Sequence, residues 1–118
     1  MLKKVVLATA MMVTFAHMPA LAKSNNSCGK ASWYALHTKT ASGERMKPME
    51  LTAAHPSLKF GTKIKVVNKR NGKSVIVRVN DRGPFTHGRV LDISKGAAQH
   101  IGMVSSGVSS VCYEIVSR

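Results

Sequence analysis

Two carboxylates stand out in a chain that carries few. Against eighteen Lys and Arg there are five acids, Glu44, Glu50, Asp81, Asp92 and Glu114. Asp81 lies in Val77-Arg78-Val79-Asn80-Asp81-Arg82-Gly83-Pro84-Phe85, where an extended apolar run breaks into a turn. Glu44 closes the loop Thr40-Ala41-Ser42-Gly43-Glu44. Both fall in Gly-containing loops beside strand-like runs, the positions from which a rigid β scaffold presents chemistry. Two acids that converge over a groove are the minimum apparatus for cleaving a glycosidic bond. One donates a proton to the leaving oxygen, and the other steadies the cationic transition state or serves as base. Plainer roles exist for each: Asp81 as an Asx-turn residue beside Gly, and Glu44 as a solvated loop acid.

The residues leave the division of labour open. A guanidinium from Arg78 or Arg82 within a few ångströms of Asp81 would hold it ionised, because an opposite charge lowers a carboxyl pKa. Strand alternation sends Arg78 and Asn80 to one face and Val77 and Val79 to the other, without deciding which arginine reaches Asp81. With no cation nearby, Asp81 becomes the proton donor and Glu44 the stabiliser.

The surrounding elements read as short strands punctuated by Gly, Pro, Asn and Ser. Ala31-Ser32-Trp33-Tyr34-Ala35 is a short aromatic run, with Trp33 expected in the core. Leu51-Thr52-Ala53-Ala54-His55-Pro56 suggests one helical turn limited by Pro56. The clearest hairpin alternates cation and aliphatic over Thr62–Asn68, turns at Asn71-Gly72 and returns over Ser74–Val79. Arg89–Ile93 reads as a strand, Ser94 as the cap of a helix over Lys95–Ile101, Gly102 as its stop, and Val111–Val116 as the last strand. Many short strands with one or two short helices argue a small closed β-barrel, because closure removes exposed edges. Arg89 and Asp92 are expected to be structural.

Met1–Ala22 has the pattern of a cleaved secretory signal peptide. Lys3 and Lys4 precede an apolar run from Val5 to Phe15, and Ala20-Leu21-Ala22 is a small-residue cleavage site. The run is too short to span a bilayer, so no stable membrane insertion is expected after cleavage. Residues 23–118 then form one domain. Loss of Lys3 and Lys4 leaves sixteen cations against the same five acids, a formal charge of +11. Such a surface suits a polyanionic partner, although charge also serves plain solubility. Export and the lack of an RNA-stacking aromatic cluster argue against nucleic acid. In an oxidising compartment Cys28 and Cys112 are expected to form one disulfide tying the ends together, a contribution of about 4–5 kcal/mol by the chain-entropy estimate. Asn25-Asn26-Ser27 before Cys28 is too polar for a lipid-attachment signal. His37, His87 and His100 lack ligand spacing, so neither a metal nor a cofactor is expected.

Six segments in order carry a resemblance: Ala31-Ser32-Trp33-Tyr34, Thr40–Glu44, Leu51–His55, Phe60-Gly61-Thr62, Val66–Asn68 with Asn71-Gly72-Lys73, and Val77–Phe85 followed by Arg89–Ser94. Together they resemble the catalytic domain of the rare lipoprotein A family, the septal-ring lytic transglycosylases of bacterial peptidoglycan, from about Lys30 to the C-terminus. The resemblance implies a six-stranded double-psi β-barrel, related to barwin and expansins, with an open cleft for a glycan strand. It implies Glu44 and Asp81 as the catalytic pair. Tyr34, His55, Asn80 and Arg82 are expected to contact the glycan. The implied reaction cuts between N-acetylmuramic acid and N-acetylglucosamine and leaves a 1,6-anhydro sugar, with no metal or cofactor. It implies work in the periplasm or cell envelope, as a monomer.

The chain departs from the family at Leu36-His37-Thr38, where a glycine commonly follows the tyrosine, and in ending without a C-terminal peptidoglycan-binding module. It is therefore expected to find anionic wall material through its own charge. A rival of another class is a glycan-binding, expansin-like module without turnover.

Overall fold

The computed structural model describes residues 26–118, so the expected signal peptide lies outside the described residues. Six strands and one helix follow in order. They are β1 (Ser27–Tyr34), β2 (Thr52–Ala54), β3 (Lys63–Asn68), β4 (Ser74–Asp81), β5 (Arg89–Ser94), α1 (Lys95–His100) and β6 (Val108–Ser117). Neighbours hydrogen bond in the order β1-β5-β2-β4-β3-β6 and close into a barrel. Two pairings, β1 with β5 and β2 with β4, are parallel, and the other four are antiparallel. This is the expected double-psi β-barrel, with a single helix among the described residues.

The alternation visible in the β3–β4 hairpin decides what points inward. Ile64 and Val66 of β3 and Val75, Val77 and Val79 of β4 are buried. Lys63 and Ile76 face out. With Ala31, Ala53, Leu91, Ile93, Val111 and Tyr113 they fill the barrel, and Ala97, Ala98, Ile101 and Met103 close one side. Trp33 packs against this core and donates its indole N–H to the Val104 carbonyl at 3.1 Å. Ser94 caps α1, its hydroxyl accepting from the Ala97 N–H at 3.2 Å, and Gly102 follows at φ 66°.

The stretch Leu51–Pro56 is not a helical turn. Thr52–Ala54 is a fully buried strand, parallel to β4 on one side and antiparallel to β5 on the other. Its small residues favour a helix locally, but the barrel needs a backbone ladder there to pair the inner edges of β4 and β5, and tertiary pairing wins. Strands β1 and β6 also start earlier than the apolar runs suggest. The two strands pair with one another from Ser27↔Tyr113 to Ser32↔Val108, which extends each past its apolar run. Cys28 and Cys112 are directly opposite in that register and form the expected disulfide across 84 positions of chain.

Arg89 donates to Asp92 and to the Ser32 hydroxyl, and Ser32 donates to Asp92, which ties β5 to β1. The contact that locates α1 is tighter. Gly96 donates its N–H to the Pro48 carbonyl at 2.8 Å. A Cβ there would stand 2.4 Å from the Met49 carbonyl oxygen. Backbone cannot yield as a side chain end does, so Gly96→Ala should lower stability by about 1–3 kcal/mol. The urea midpoint checks this, and an unchanged midpoint would show that the turn before β2 is free to move.

Candidate active site

The loop carrying Glu44 is ordered by its own hydrogen bonds. Lys39 and Arg45 form a bridge, and Thr40 exchanges with Glu44 through its N–H (2.8 Å) and hydroxyl (3.0 Å), both donated to the Glu44 carbonyl. Gly43, at φ 93°, supplies the positive dihedral the turn needs. Met46 anchors the far side, only 1% exposed. This turn docks on the C-terminal end of β4. The Ser42 N–H reaches the Asn80 carbonyl at 3.2 Å, and the Ala41 N–H reaches Asp81 Oδ1 at 2.8 Å.

Each acid is therefore held by the element that carries the other. Glu44 receives a two-pronged ion pair from Arg78, Nη1 to Oε2 and Nη2 to Oε1, both at 2.9 Å. Asn80 Nδ2 adds a third bond to Oε1 at 2.7 Å. Arg78 and Asn80 do share a purpose, as their spacing on β4 suggests, but the purpose is Glu44. Asn80 is 1% exposed and its Oδ1 is buried without a partner among the described residues, which costs about 1–3 kcal/mol. Hydrogen bonds from Arg78 first and Asn80 second hold the Glu44 carboxyl below its usual range. Glu44 is a fixed negative charge.

Asp81 is held differently. Its Oδ1 accepts the N–H groups of Ala41 (2.8 Å) and Arg82 (2.9 Å), and its Oδ2 accepts the Tyr34 hydroxyl at 3.2 Å. Burial, and after it the Asp81 charge, push the Tyr34 pKa far above its ordinary value, so Tyr34 keeps its proton and donates it to Asp81. Neither flanking arginine pairs with Asp81. Arg78 is taken by Glu44, and Arg82 Nη1 donates to the carbonyls of His55 (3.2 Å) and Leu58 (2.7 Å) while its guanidinium lies 4.0 Å over the Phe60 ring.

His55 is 7% exposed and both its nitrogens are used within the protein. Nε2 bonds the Tyr113 hydroxyl at 2.6 Å, and Nδ1 accepts the N–H groups of Ser57 and Leu58 at 3.0 Å each. Accepting at Nδ1 assigns the proton to Nε2, which then donates to Tyr113. Burial, and secondarily Arg82, lowers its pKa, so the ring is neutral and braces the chain between β2 and the core. An open cavity of about 420 Å³ adjoins Glu44, lined by Glu44, Arg45, Lys47, Glu50 and Arg78. Asp81 lies outside its walls. Phe85, next to the Asp81 turn, is 81% exposed.

Residues 26–113 match the family model described as "Lytic transglycolase". The chain belongs to this family. A "Probable endolytic peptidoglycan transglycosylase RlpA" of Nostoc sp. is 60% identical over 79 residues, which cover 67% of this chain and 21% of that one. An "Endolytic peptidoglycan transglycosylase RlpA" of Neisseria meningitidis is 51% identical over 89 residues, 73% of this chain and 37% of that one. The chain thus spans well under half the length of these relatives. Among solved structures, a Streptomyces papain inhibitor superposes with TM-score 0.66 at 20% identity, over 77% of this chain and 94% of that one. An expansin of Clavibacter michiganensis in complex with cellohexaose gives TM-score 0.64 at 21% identity, over 77% and 50%. These two likenesses concern the fold.

In this lytic transglycolase domain the structure gathers Tyr34, Glu44, Asn80 and Asp81 into one hydrogen-bonded cluster, and leaves His55 and the Arg82 guanidinium behind it as bracing. Arg78 as the partner of Glu44, and the Ala41 N–H as a support of Asp81, were not assigned from the sequence. The i, i+2 spacing of Arg78 and Asn80 on an outward face was the available signal for the first. A backbone donor leaves none.

The Glu44 pairing fixes a pH response. A carboxyl whose folded pKa lies below its unfolded value stabilises the fold above the unfolded value, and this is lost as pH falls through the folded one. The stability advantage of the protein over Glu44→Gln should be constant above about pH 5 and shrink as acid is added below the ordinary value of 4.5. Urea midpoints of both proteins across this range read it. A gap that does not close would mean the Arg78 contact is not made in solution.

Proposed function

We propose that the protein is an endolytic lytic transglycosylase of the cell envelope, cleaving peptidoglycan strands between N-acetylmuramic acid and N-acetylglucosamine, with Asp81 transferring the proton. The observation that carries this reading is the contrast between the two acids. Glu44 is clamped by Arg78 and Asn80 and kept ionised. Asp81 has only neutral donors about it, so protonation breaks no ion pair. A group that must gain and lose a proton in each cycle belongs at the second position.

In the proposed cycle the Asp81 carboxylic acid gives its proton to the glycosidic oxygen as the bond from C1 breaks. The resulting carboxylate then takes the proton of the muramyl 6-hydroxyl while O6 bonds to C1. The proton returns to Asp81, and no water is consumed. Tyr34 and the Ala41 amide orient the carboxyl, which also spares most of the rotational freedom that would otherwise be lost on reaching the transition state. Glu44 supplies negative charge toward the oxocarbenium-like centre, attenuated by Arg78. The names of the relatives, each a peptidoglycan transglycosylase, support the substrate class. The signal-like leader supports export, with the periplasm or wall as the place of action.

One observation favours a second reading, glycan binding without turnover: both Glu44 oxygens are already occupied by protein donors. Mass spectrometry of digested glycan strands separates the two. Anhydro-muramyl ends are expected. Reducing ends would mean hydrolysis, and intact polymer retained on the protein would mean a binding module. Asp81→Asn should lower the rate by about 10²-fold or more. Tyr34→Phe should lower kcat by roughly tenfold with KM little changed, as an orienting group does. Full activity of Asp81→Asn would remove that residue from the chemistry.

A further inference from the structure

The barrel has a second, chemically different end. Lys69 and Arg70 sit in the turn between β3 and β4. Strand β4 then runs eight residues from Ser74 to Asp81, so at about 3.3 Å per residue this turn stands roughly 20–25 Å from Asp81. An open cavity of about 460 Å³ lies here, lined by Lys30, Lys69, Arg70, Val108, Ser109 and Ser110. A neighbouring cavity of about 280 Å³ shares Lys30, Lys69 and Ser110 with it. Among the described residues no acid lines either one.

The three cations come from two segments, β1 and the β3–β4 turn, that the fold fixes against one another. Asn68, 1% exposed, donates its Nδ2 to the Ile101 carbonyl at 2.8 Å. Its Oδ1 accepts from the Arg70 N–H at 3.0 Å and the Ser109 hydroxyl at 2.8 Å. The Lys69 N–H donates to the Ser110 carbonyl at 3.0 Å. Lys30 lies opposite Ser110 in the β1–β6 register, and its Nζ donates to the Ser110 hydroxyl at 3.0 Å. One buried amide thus ties the cationic turn to α1 and to β6. These bonds hold the groove's shape although its like charges repel and its described walls carry no carboxylate.

We infer that this groove is a second binding site, which takes a phosphate ester. Three cations and the Ser110 hydroxyl, whose proton stays free when it accepts from Lys30, approach from different directions and match a tetrahedral oxyanion. A planar carboxylate presents its two oxygens in one plane and would leave donors from the other directions unmatched. Such a group is offered by a phosphorylated envelope polymer or by a phospholipid headgroup at the membrane surface, and the chemistry of recognition is common to both. The site is separate from the carboxylate cluster and does not depend on the glycan-cleaving reading.

Amide chemical shifts of the isotope-labelled protein, followed at low ionic strength, test this with two probes. Glycerol 3-phosphate should give saturable shifts clustered on Lys30, Lys69, Arg70 and Ser110, while acetate at matched ionic strength should not. The Lys69→Ser/Arg70→Ser variant, changed only at exposed positions, should bind roughly tenfold or more weakly. Lys30→Ser should weaken binding from a different strand. Co-sedimentation with phosphatidylcholine vesicles containing phosphatidylglycerol separates the sources. Binding to vesicles that the double variant loses assigns the headgroup, and a response to glycerol 3-phosphate alone assigns a soluble or polymer-borne ester. No saturable response to either probe, equal shifts with acetate, or undiminished binding by the variants would overturn the site. Because the readout is binding far from Asp81, either outcome leaves the cleavage assay independent.

Discussion

The docking of the Thr40–Glu44 turn on the end of β4 is the contact on which the rest of the site depends. Its bonds run in both directions. The turn gives its Ala41 and Ser42 amides to Asp81 and Asn80, and β4 gives its Arg78 and Asn80 side chains to Glu44. Neither acid would have its present environment without the other's element. A bidentate arginine is well matched to a carboxylate, and the resulting pair is also geometrically specific. It fixes the position of the turn as well as the charge of Glu44.

That reciprocity has a chemical consequence. Two equivalent carboxylates near one another would compete for a single proton, each raising the pKa of its neighbour. Here the competition is removed, because Arg78 neutralises one of the two and leaves the other among neutral donors. The buried Asn80 oxygen without a partner is the cost of reaching Glu44 with its amide nitrogen. Behind the cluster, His55 and Tyr113 link β2 to the core at 2.6 Å, and Arg82 ties the Asp81 turn to the chain around Leu58. Bracing of this kind holds a site to a few tenths of an ångström, which catalytic positioning requires.

The closed barrel also separates charge along its axis. Glu44 and Asp81 are gathered at the C-terminal end of β4, while Lys30, Lys69 and Arg70 converge at the opposite end around two cavities whose described walls carry no carboxylate. The disulfide between Cys28 and Cys112 closes β1 onto β6 close to the cationic end.

Much of this was legible from residue order. The alternation of Ile64 and Val66 with lysines, the positive-φ glycine at position 72 and the Ser94 cap are local signals. Each depends on neighbours within a few residues, and each appears in the structure where those signals point. Glu44 and Asp81 were legible as candidates for the same reason, since scarce carboxylates in glycine-bearing loops are visible without coordinates. Other features depended on contacts between residues far apart in the chain. The run Leu51–Pro56 became a strand because β4 and β5 needed a partner between them. Arg78 turned to Glu44 across 34 positions and not to Asp81 three residues away, and His55 was claimed by Tyr113. By itself the sequence determined most of the strands and turns and where the scarce carboxylates fall among them, because these follow from side-chain periodicity and backbone preference. Only the tertiary structure decided which cation meets which acid, because closing the barrel sets distances that spacing along the chain does not encode.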